Sequence, residues 1–502
     1  MSRIIILPRA SILATLFVAV GLPGQRTSIH QTADQLQVDS GWLANNGDSP
    51  RVVFQTQVEY PQAPWLRLFF DQTNLPRGSV LRLTGGEDSV VQTLDAKSLM
   101  DYGESSCFFN GGVVQVELVA GPNTAGNRVL IVGATFGTLF RSLQNVCGNQ
   151  DDRVQSADVR QGRLSTPSSF CTGWLIGPDI MLSAGHCDNS GGPSILSFNV
   201  PNSTNSGAPQ ASHPDDQYPV LSQSVSSLDA GLGADWMAAR VGANSNTGQL
   251  PGTVQGDWYQ MGAVPTSAGG NEIRLTGYGV TEPSADPLNM VQKTHLGPLA
   301  VVGGTSLFYV VDSTGGNSGG PIIHENTGAA IGIHTHGGCD ILGNNAGTRI
   351  DRADLQAALA NLGWAEGKVE QVGPGCNGSQ LFAPLLSLSS PKIGSTAIFS
   401  ARFVPADVFG FLVLGDSSTN DNGVPLPLDL SGIGMPGCFQ RVSLDVAAAM
   451  PTQSDNTATL PVFIPTDPLF IGQEYFVQYA VSDTVNPGGY VVSNALKVTV
   501  GG

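Results

Sequence analysis

The sequence predicts an all-β protein, and three observations carry that expectation. Glycine is abundant, with 63 residues beside 32 prolines, while only 13% of the chain is charged. That composition favours strands and turns over long helices. Short runs alternate apolar and polar side chains at period two, separated by Gly, Pro, Asn or Asp. Only Asp351–Leu362, rich in Ala and Leu with Asp at its start, has a convincing helical pattern. A chain of 502 residues exceeds one ordinary core, so three domains are expected.

Arg3 and Arg9 precede and flank the start of a nearly unbroken apolar run, Ile12 to Leu22. At about eleven residues it is too short to span a bilayer but suits a signal peptide. Residues 1–25 are read so, with cleavage near Gly21–Gln25; an uncleaved anchor is the alternative. The mature protein is expected to be secreted or periplasmic, monomeric and free of membrane. The net charge of −17 argues against nucleic acid or an anionic membrane as partner. Export makes the seven cysteines disulfide candidates, and the odd count leaves at least one without a partner in the chain.

Residues 35–140 read as a β-sandwich, with strands at Arg51–Val58, Leu66–Phe70, Val80–Leu83, Val113–Leu118 and Val129–Val132. They hold no cluster that suggests chemistry. A pro-domain and a permanent structural partner both remain open. A second domain spans 145–366. In it, apolar strands flank Gly177-Pro178-Asp179, forming a hairpin that runs from Phe170 to Cys187. A bridge between Cys171 and Cys187 would pin the intervening His186. Further strands are expected at Asn271–Tyr278 and Leu307–Val311. Residues 367–375 read as a turn-rich linker. Residues 376–502 read as a second β-sandwich, with strands at Ala397–Phe403, Gly410–Leu414, Phe439–Val446, Gln473–Ala480 and Ala495–Val500. Its only cysteines, Cys376 and Cys438, are the natural pair. Asp416 to Asn422 is rich in Asp and Asn, but its spacing fits a solvated turn better than a calcium loop. No metal or cofactor is expected.

The chemistry centres on Asp312-Ser-Thr-Gly-Gly-Asn-Ser-Gly-Gly-Pro321. A serine among glycines can occupy a tight turn on which its hydroxyl and nearby N–H groups converge, as acyl transfer requires. A Gly-rich surface turn is the plain alternative. A serine nucleophile also needs a base and a group to orient that base. His186, in Leu182-Ser-Ala-Gly-His-Cys187, lies at the end of the hairpin.

These two segments resemble the histidine and serine boxes of trypsin-like (chymotrypsin-fold) serine peptidases, in that family's order. The resemblance covers roughly Cys147 to Trp364. It implies two perpendicular six-stranded β-barrels, here a central double barrel flanked by two β-sandwich-like domains. It implies protein or peptide substrates. Asp235-Trp-Met-Ala-Ala-Arg-Val241 is similar to the family's Asp box, and Asp229 is the competitor. In the implied mechanism Ser318 is the nucleophile, His186 the base and Asp235 its orienting acid. The N–H groups of Gly316 and Ser318 form the oxyanion hole. Asn317 departs from the digestive enzymes, where an Asp pairs with a new N-terminal ammonium. Gly-Gly-Asn-Ser-Gly resembles bacterial secreted glutamyl- and lysyl-endopeptidases instead. Their pattern implies a Cys147–Cys339 bridge, which leaves Cys107 over.

Specificity signals conflict. Asp312, six residues before Ser318, stands where trypsin-like enzymes bind a basic side chain, or else it is a turn residue. Ile331-Gly-Ile-His-Thr-His-Gly-Gly338 resembles the glutamyl type, in which His334 would bind an acidic side chain. His334 and His336 alternate, so they should share a face; a metal pair is the other reading, with no third ligand evident. Two rival functions are a catalytically silent binding or adhesion protein and a periplasmic chaperone-protease. An intact-looking triad speaks against the first. The second would carry a strand-helix peptide-binding domain after residue 376, for which the sequence has no pattern.

Overall fold

The computed structural model describes residues 27–28, 31–137, 144–167, 169–188, 192–281, 283–339, 343–364, 367–380, 382–389 and 391–502. The expected signal peptide, 1–25, lies outside the described residues. Period-two alternation becomes strands throughout. Gln31–Asp39, Leu130–Gly137, Trp65–Phe70 and Phe109–Asn110 form one antiparallel sheet. Arg51–Glu59, Val113–Ala120, Val80–Gly85 and Val91–Leu94 form a second. Leu66, Leu68, Leu81, Val116 and Ile131 fill the core between them. The short helix Ala96–Asp101 has no strong periodicity, but Asp95 and Ser98 cap it reciprocally.

The central region contains the barrels, whose strands are numbered here β1 to β12. β1 (Gln161–Ser165), β2 (Ser169–Leu175), β3 (Ile180–Ser183), β4 (Ser194–Ser197), β5 (Gln217–Val220) and β6 (Asp235–Arg240) run in the order β5-β4-β1-β2-β3-β6. Ser226–Asp229 extends this sheet beyond β6, and β5 meets the end of β6 around the Val220–Val241 bridge, so among the described residues the first barrel is partly closed. The second consists of β7 (Glu272–Gly277), β8 (Lys293–Val302), β9 (Ser306–Tyr309), β10 (Pro321–His324), β11 (Ala329–His336) and β12 (Asn345–Arg349). It closes fully in the order β8-β7-β10-β11-β12-β9, because β8 also pairs with β9. One apolar core joins Trp174, Leu182 and Ala238 of the first barrel to Ile323 and Ile333 of the second and to the helix Ala353–Asn361 through Leu355 and Leu359. Fold class is therefore as the sequence predicts: all-β, a chymotrypsin-like double barrel between two sandwiches.

Three disulfides form: Cys171–Cys187, Cys147–Cys339 and Cys376–Cys438. Cys107 is a free, buried thiol, and burial pushes its pKa above the ordinary value.

One expectation is corrected outright. Residues 367–375 are not a linker: Lys368–Gly373 is an edge strand paired with Tyr490–Thr499. Its Lys, Glu and Gln side chains face water, so its polar composition marks a sheet edge and the turn residues only bound it. The single strand expected over Phe439–Val446 is two, Phe439–Gln440 and Val446–Ala449. The C-terminal sheets pack on Leu386, Phe399, Leu412 and Val481. In the Asp416–Asn422 segment, Asn420 and Asp421 pair with Val424–Pro425 as a small hairpin.

The N-terminal sandwich is joined to the first barrel by buried polar contacts. Gln217 both accepts from Phe108 N–H and donates to its carbonyl, each at 2.8 Å. Tyr102 Oη donates to the Gln217 carbonyl at 2.7 Å, and Arg67 donates to the Pro193 carbonyl at 2.9 Å. Phe170, Ile195 and Val280 belong to the same apolar core as Phe109. A Gln217→Ala variant leaves the Phe108 backbone groups unpaired in a dry interface. It is expected to lose about 2–3 kcal/mol in urea unfolding of the full chain.

Candidate active site

The histidine box works by close packing. Gly185–Cys187 is a single 3-10 turn, wholly buried, and a Cβ on Gly185 would lie 2.0 Å from the Leu228 carbonyl oxygen. That turn carries His186 between β3 and the Cys171–Cys187 bridge. Asp235 begins β6, fully buried. Its Oδ1 accepts the His186 backbone N–H at 3.0 Å and its Oδ2 lies 2.6 Å from His186 Nδ1. His186 Nε2 lies 2.8 Å from Ser318 Oγ. Asp229, the competitor, is exposed at the end of the strand Ser226–Asp229, opposite Asp235 in register.

Ser318 sits on a turn of the second barrel that is fastened to the first. Thr172 N–H on β2 donates to the Ser318 carbonyl at 2.8 Å, Thr172 Oγ1 to the Gly316 carbonyl at 2.9 Å, and Trp174 Nε1 to the Gly319 carbonyl at 2.9 Å. Two glycines make the turn possible. Gly316 has φ +99°, and at Gly319 (φ +86°) a Cβ would lie 2.2 Å from the Thr172 carbonyl oxygen. The Gly315 carbonyl accepts from Val280 N–H at 3.0 Å. Because a trans peptide sets C=O and N–H antiparallel, the Gly316 N–H points the opposite way.

The two specificity candidates differ in what their polar atoms do. Asp312 is buried, its Oδ1 accepting Cys147 N–H at 2.7 Å and its Oδ2 accepting Asp152 N–H at 2.6 Å. Both oxygens serve the chain itself, as in a turn residue. His334 is buried on β11, with Tyr309 Oη 2.5 Å from its Nδ1 and its backbone bonded to Gly319 and Gly320 behind Ser318. Burial pushes the Tyr309 pKa well above its ordinary value, so the phenol keeps its proton. Burial, then the nearby His336 and His186 rings, lowers the His334 pKa to about 3.

His334 and His336 are separated by a β-bulge, which their alternation in sequence does not reveal. The bulge directs His336 to the other pair: its Nδ1 lies 3.9 Å from Asp235 Oδ2, and its ring meets His186 edge-on at 6.3 Å. Among the described residues, two groups of three potential metal-ligand atoms lie close together, and neither contains these histidines. One uses the bridged Cys171 and Cys187, whose sulfurs are not thiolates. In the other, Asp152, His295 and Asp312, the His295 Nδ1 lone pair already accepts Asp312 N–H at 2.8 Å. Neither fits a metal centre.

The arrangement pairs an alcohol with an imidazole, orients that imidazole with a buried carboxylate, and surrounds the alcohol with a glycine turn. Residues 148–353 match the Trypsin family model. The chain therefore carries a trypsin-like serine peptidase domain. This domain is related to the glutamyl endopeptidases. A glutamyl endopeptidase of Bacillus licheniformis is 26% identical over 229 residues, which is 42% of this chain and 67% of the relative. A solved structure of a Glu endopeptidase in complex with MPD aligns at 18% identity, with 43% of this chain and 99% of that one covered and a TM-score of 0.34. A thermostable serine protease, AL20, from an extremophilic microorganism aligns at 15% identity, with 41% and 97% covered and a TM-score of 0.32.

The buried neutral His334 makes stability depend on pH. Unfolding returns it to its ordinary value of 6.5, so from there down to about 3 the unfolded chain binds a proton the folded chain excludes. Unfolding free energy is expected to fall as pH drops through that window, by at most roughly 1.4 kcal/mol per pH unit from this group. Urea unfolding at pH 7, 5.5 and 4 should show a shallower decline in His334→Gln than in the wild type.

Proposed function

We propose that the chain is a secreted serine endopeptidase that cleaves after acidic residues through an acyl-enzyme on Ser318. The observation that carries this reading is the relay Asp235–His186–Ser318, with contacts of 2.6 and 2.8 Å. Ser318 Oγ attacks the scissile carbonyl while His186 Nε2 takes its proton. Asp235 holds the His186 tautomer and stabilises the imidazolium. The oxyanion is received by the N–H groups of Gly316 and Ser318. His186 then protonates the departing amine as the C–N bond breaks. Water, deprotonated by the same ring, releases the acid from Ser318.

An acidic P1 residue is favoured by the polar groups behind the nucleophile. Both Asp312 oxygens accept backbone N–H groups, which favours a structural role over binding a basic side chain. His334 offers a neutral imidazole whose orientation Tyr309 sets, and the named relative is a glutamyl endopeptidase. Three disulfides and the apolar N-terminal run support export, and no helix among the described residues is long and apolar enough to cross a membrane. The interlocked Gln217–Phe108 contact favours an N-terminal sandwich (35–140) that stays with the peptidase domain (145–366) as a permanent partner. The C-terminal sandwich, which now includes the edge strand from Lys368, is an accessory domain, and the whole acts as a monomer on protein or peptide substrates.

Hydrolysis of a peptide library scanned at P1 tests both levels. Wild type is expected to prefer Glu or Asp, Ser318→Ala to lose roughly a million-fold in kcat, and Asp235→Asn about ten-thousand-fold. His334→Ser should lower kcat/KM for Glu about 10- to 100-fold and flatten the P1 profile. Preference for Lys or Arg would refute the acidic assignment while leaving the peptidase intact.

A further inference from the structure

In this fold the residue before the nucleophile is Asn317, which has no charge to recruit a new N-terminal ammonium. The chain has a guanidinium there instead. The Arg153 side chain is 1% exposed, and all five of its N–H donors are used. Nε and Nη2 form a fork on Asp151, at 2.8 and 2.5 Å. Nη1 donates to Asn317 Oδ1 at 2.8 Å and to Thr314 Oγ1 at 2.7 Å. The second Nη2 hydrogen goes to the Val280 carbonyl at 2.7 Å.

Asn317 and Thr314 belong to the turn that carries Ser318 and Val280 is bonded to it, while Asp151 balances the charge. Asn317 Oδ1 also accepts Thr314 N–H at 3.1 Å, closing the turn on itself. Val280 N–H holds the Gly315 carbonyl, and so sets the direction of the Gly316 N–H. Space has been left for the contact: a Cβ on Gly279 would lie 2.0 Å from Asn317 Oδ1 and 2.4 Å from Arg153 Nη1. The segment that delivers Arg153 is itself clamped. Cys147 is bridged to Cys339, Asp312 holds the N–H groups of Cys147 and Asp152, and Val154–Gln155 pairs with β8. Burial raises the Asp151 carboxyl pKa, but the Arg153 hydrogen bonds and charge outweigh it and hold the group below its ordinary value. The buried charge is therefore paired.

We propose that Arg153 is a positioning residue that locks the oxyanion turn Thr314–Ser318, so that the turn is set by a side chain within the chain and needs no newly cut N-terminus. The inference rests on Ser318 being the nucleophile. Arg153 touches no reacting atom; it acts through Asn317 and Val280.

The test compares the full-length secreted enzyme with Arg153→Ala and Asn317→Ala, using active-site titration with a fluorophosphonate, steady-state kinetics and thermal unfolding. Loss of turn geometry is expected to lower kcat per titrated site about 100-fold, the scale of one misplaced oxyanion donor, with KM within about threefold. Arg153→Lys, which keeps a cation without the fork, should recover part of that loss. If Arg153→Ala fails to fold, Asn317→Ala carries the test, because it leaves Arg153 with Asp151, Thr314 and Val280. A folded variant with wild-type kcat per site overturns the proposal, and so does a loss confined to KM. Activity that arises only after a cut between Gly137 and Arg153 also overturns it. A wild type that hydrolyses nothing and never labels defeats the peptidase reading instead.

Discussion

Two hydrogen bonds from Thr172 hold the site together. The alcohol belongs to the second barrel, while the imidazole and its carboxylate belong to the first, so their alignment depends on how rigidly the barrels meet. Thr172 N–H and Oγ1 fasten the carbonyls of Ser318 and Gly316 to β2, and Trp174 fastens Gly319 two residues along the same strand. β3 pairs with β2 and runs directly into the Gly185–Cys187 turn carrying His186. A single strand thus fastens both the Ser318 turn and the strand that leads to His186. A donor misplaced by an ångström costs orders of magnitude in rate, so backbone-level fastening of this kind is what the chemistry demands.

The surrounding groups are consistent with that demand. His186 and Asp235 are joined both through the ring and through the His186 backbone N–H, which fixes position as well as tautomer. His334 stays neutral behind Ser318, and His336 is also held below its ordinary value, chiefly by burial and despite the opposing pull of Asp235. Burial thus disfavours further positive charge beside His186 and Asp235. Further out, the first barrel lacks full closure, and the N-terminal sandwich packs Phe109 and its neighbours against Phe170 and Ile195. An apolar edge that would otherwise face water is covered there.

Much of this was legible in the sequence, for a physical reason. Ser318 and His186 lie in short segments whose glycines are dictated by close backbone contacts, so chemistry and packing constrain the same few residues. Asp235 was readable because a buried acid must head an apolar strand. The sandwiches were readable because alternation survives wherever one face is wet. What the sequence left open or did not show also has causes. Asp312 carries the same letter whether it binds a cation or two backbone N–H groups, and only the fold shows where Cys147 and Asp152 pass. The strand Lys368–Gly373 is an edge, and edges are written in polar residues that also spell linkers. A bulge separates His334 from His336, and bulges leave no mark in a two-residue period. Arg153 sits among acidic turn residues at the start of the domain, 165 positions from Ser318 in the numbering, and nothing local announces its partner.

The central claim is that Ser318 is an activated alcohol because His186 and Asp235 are assembled around it. Intact-mass and peptide-mapping analysis of the native full chain after exposure to a fluorophosphonate tests this most directly. One adduct per chain is expected, located on Ser318, with no adduct once the protein is unfolded in urea. A folded protein that stays unmodified, or carries its adduct on another serine, would contradict it.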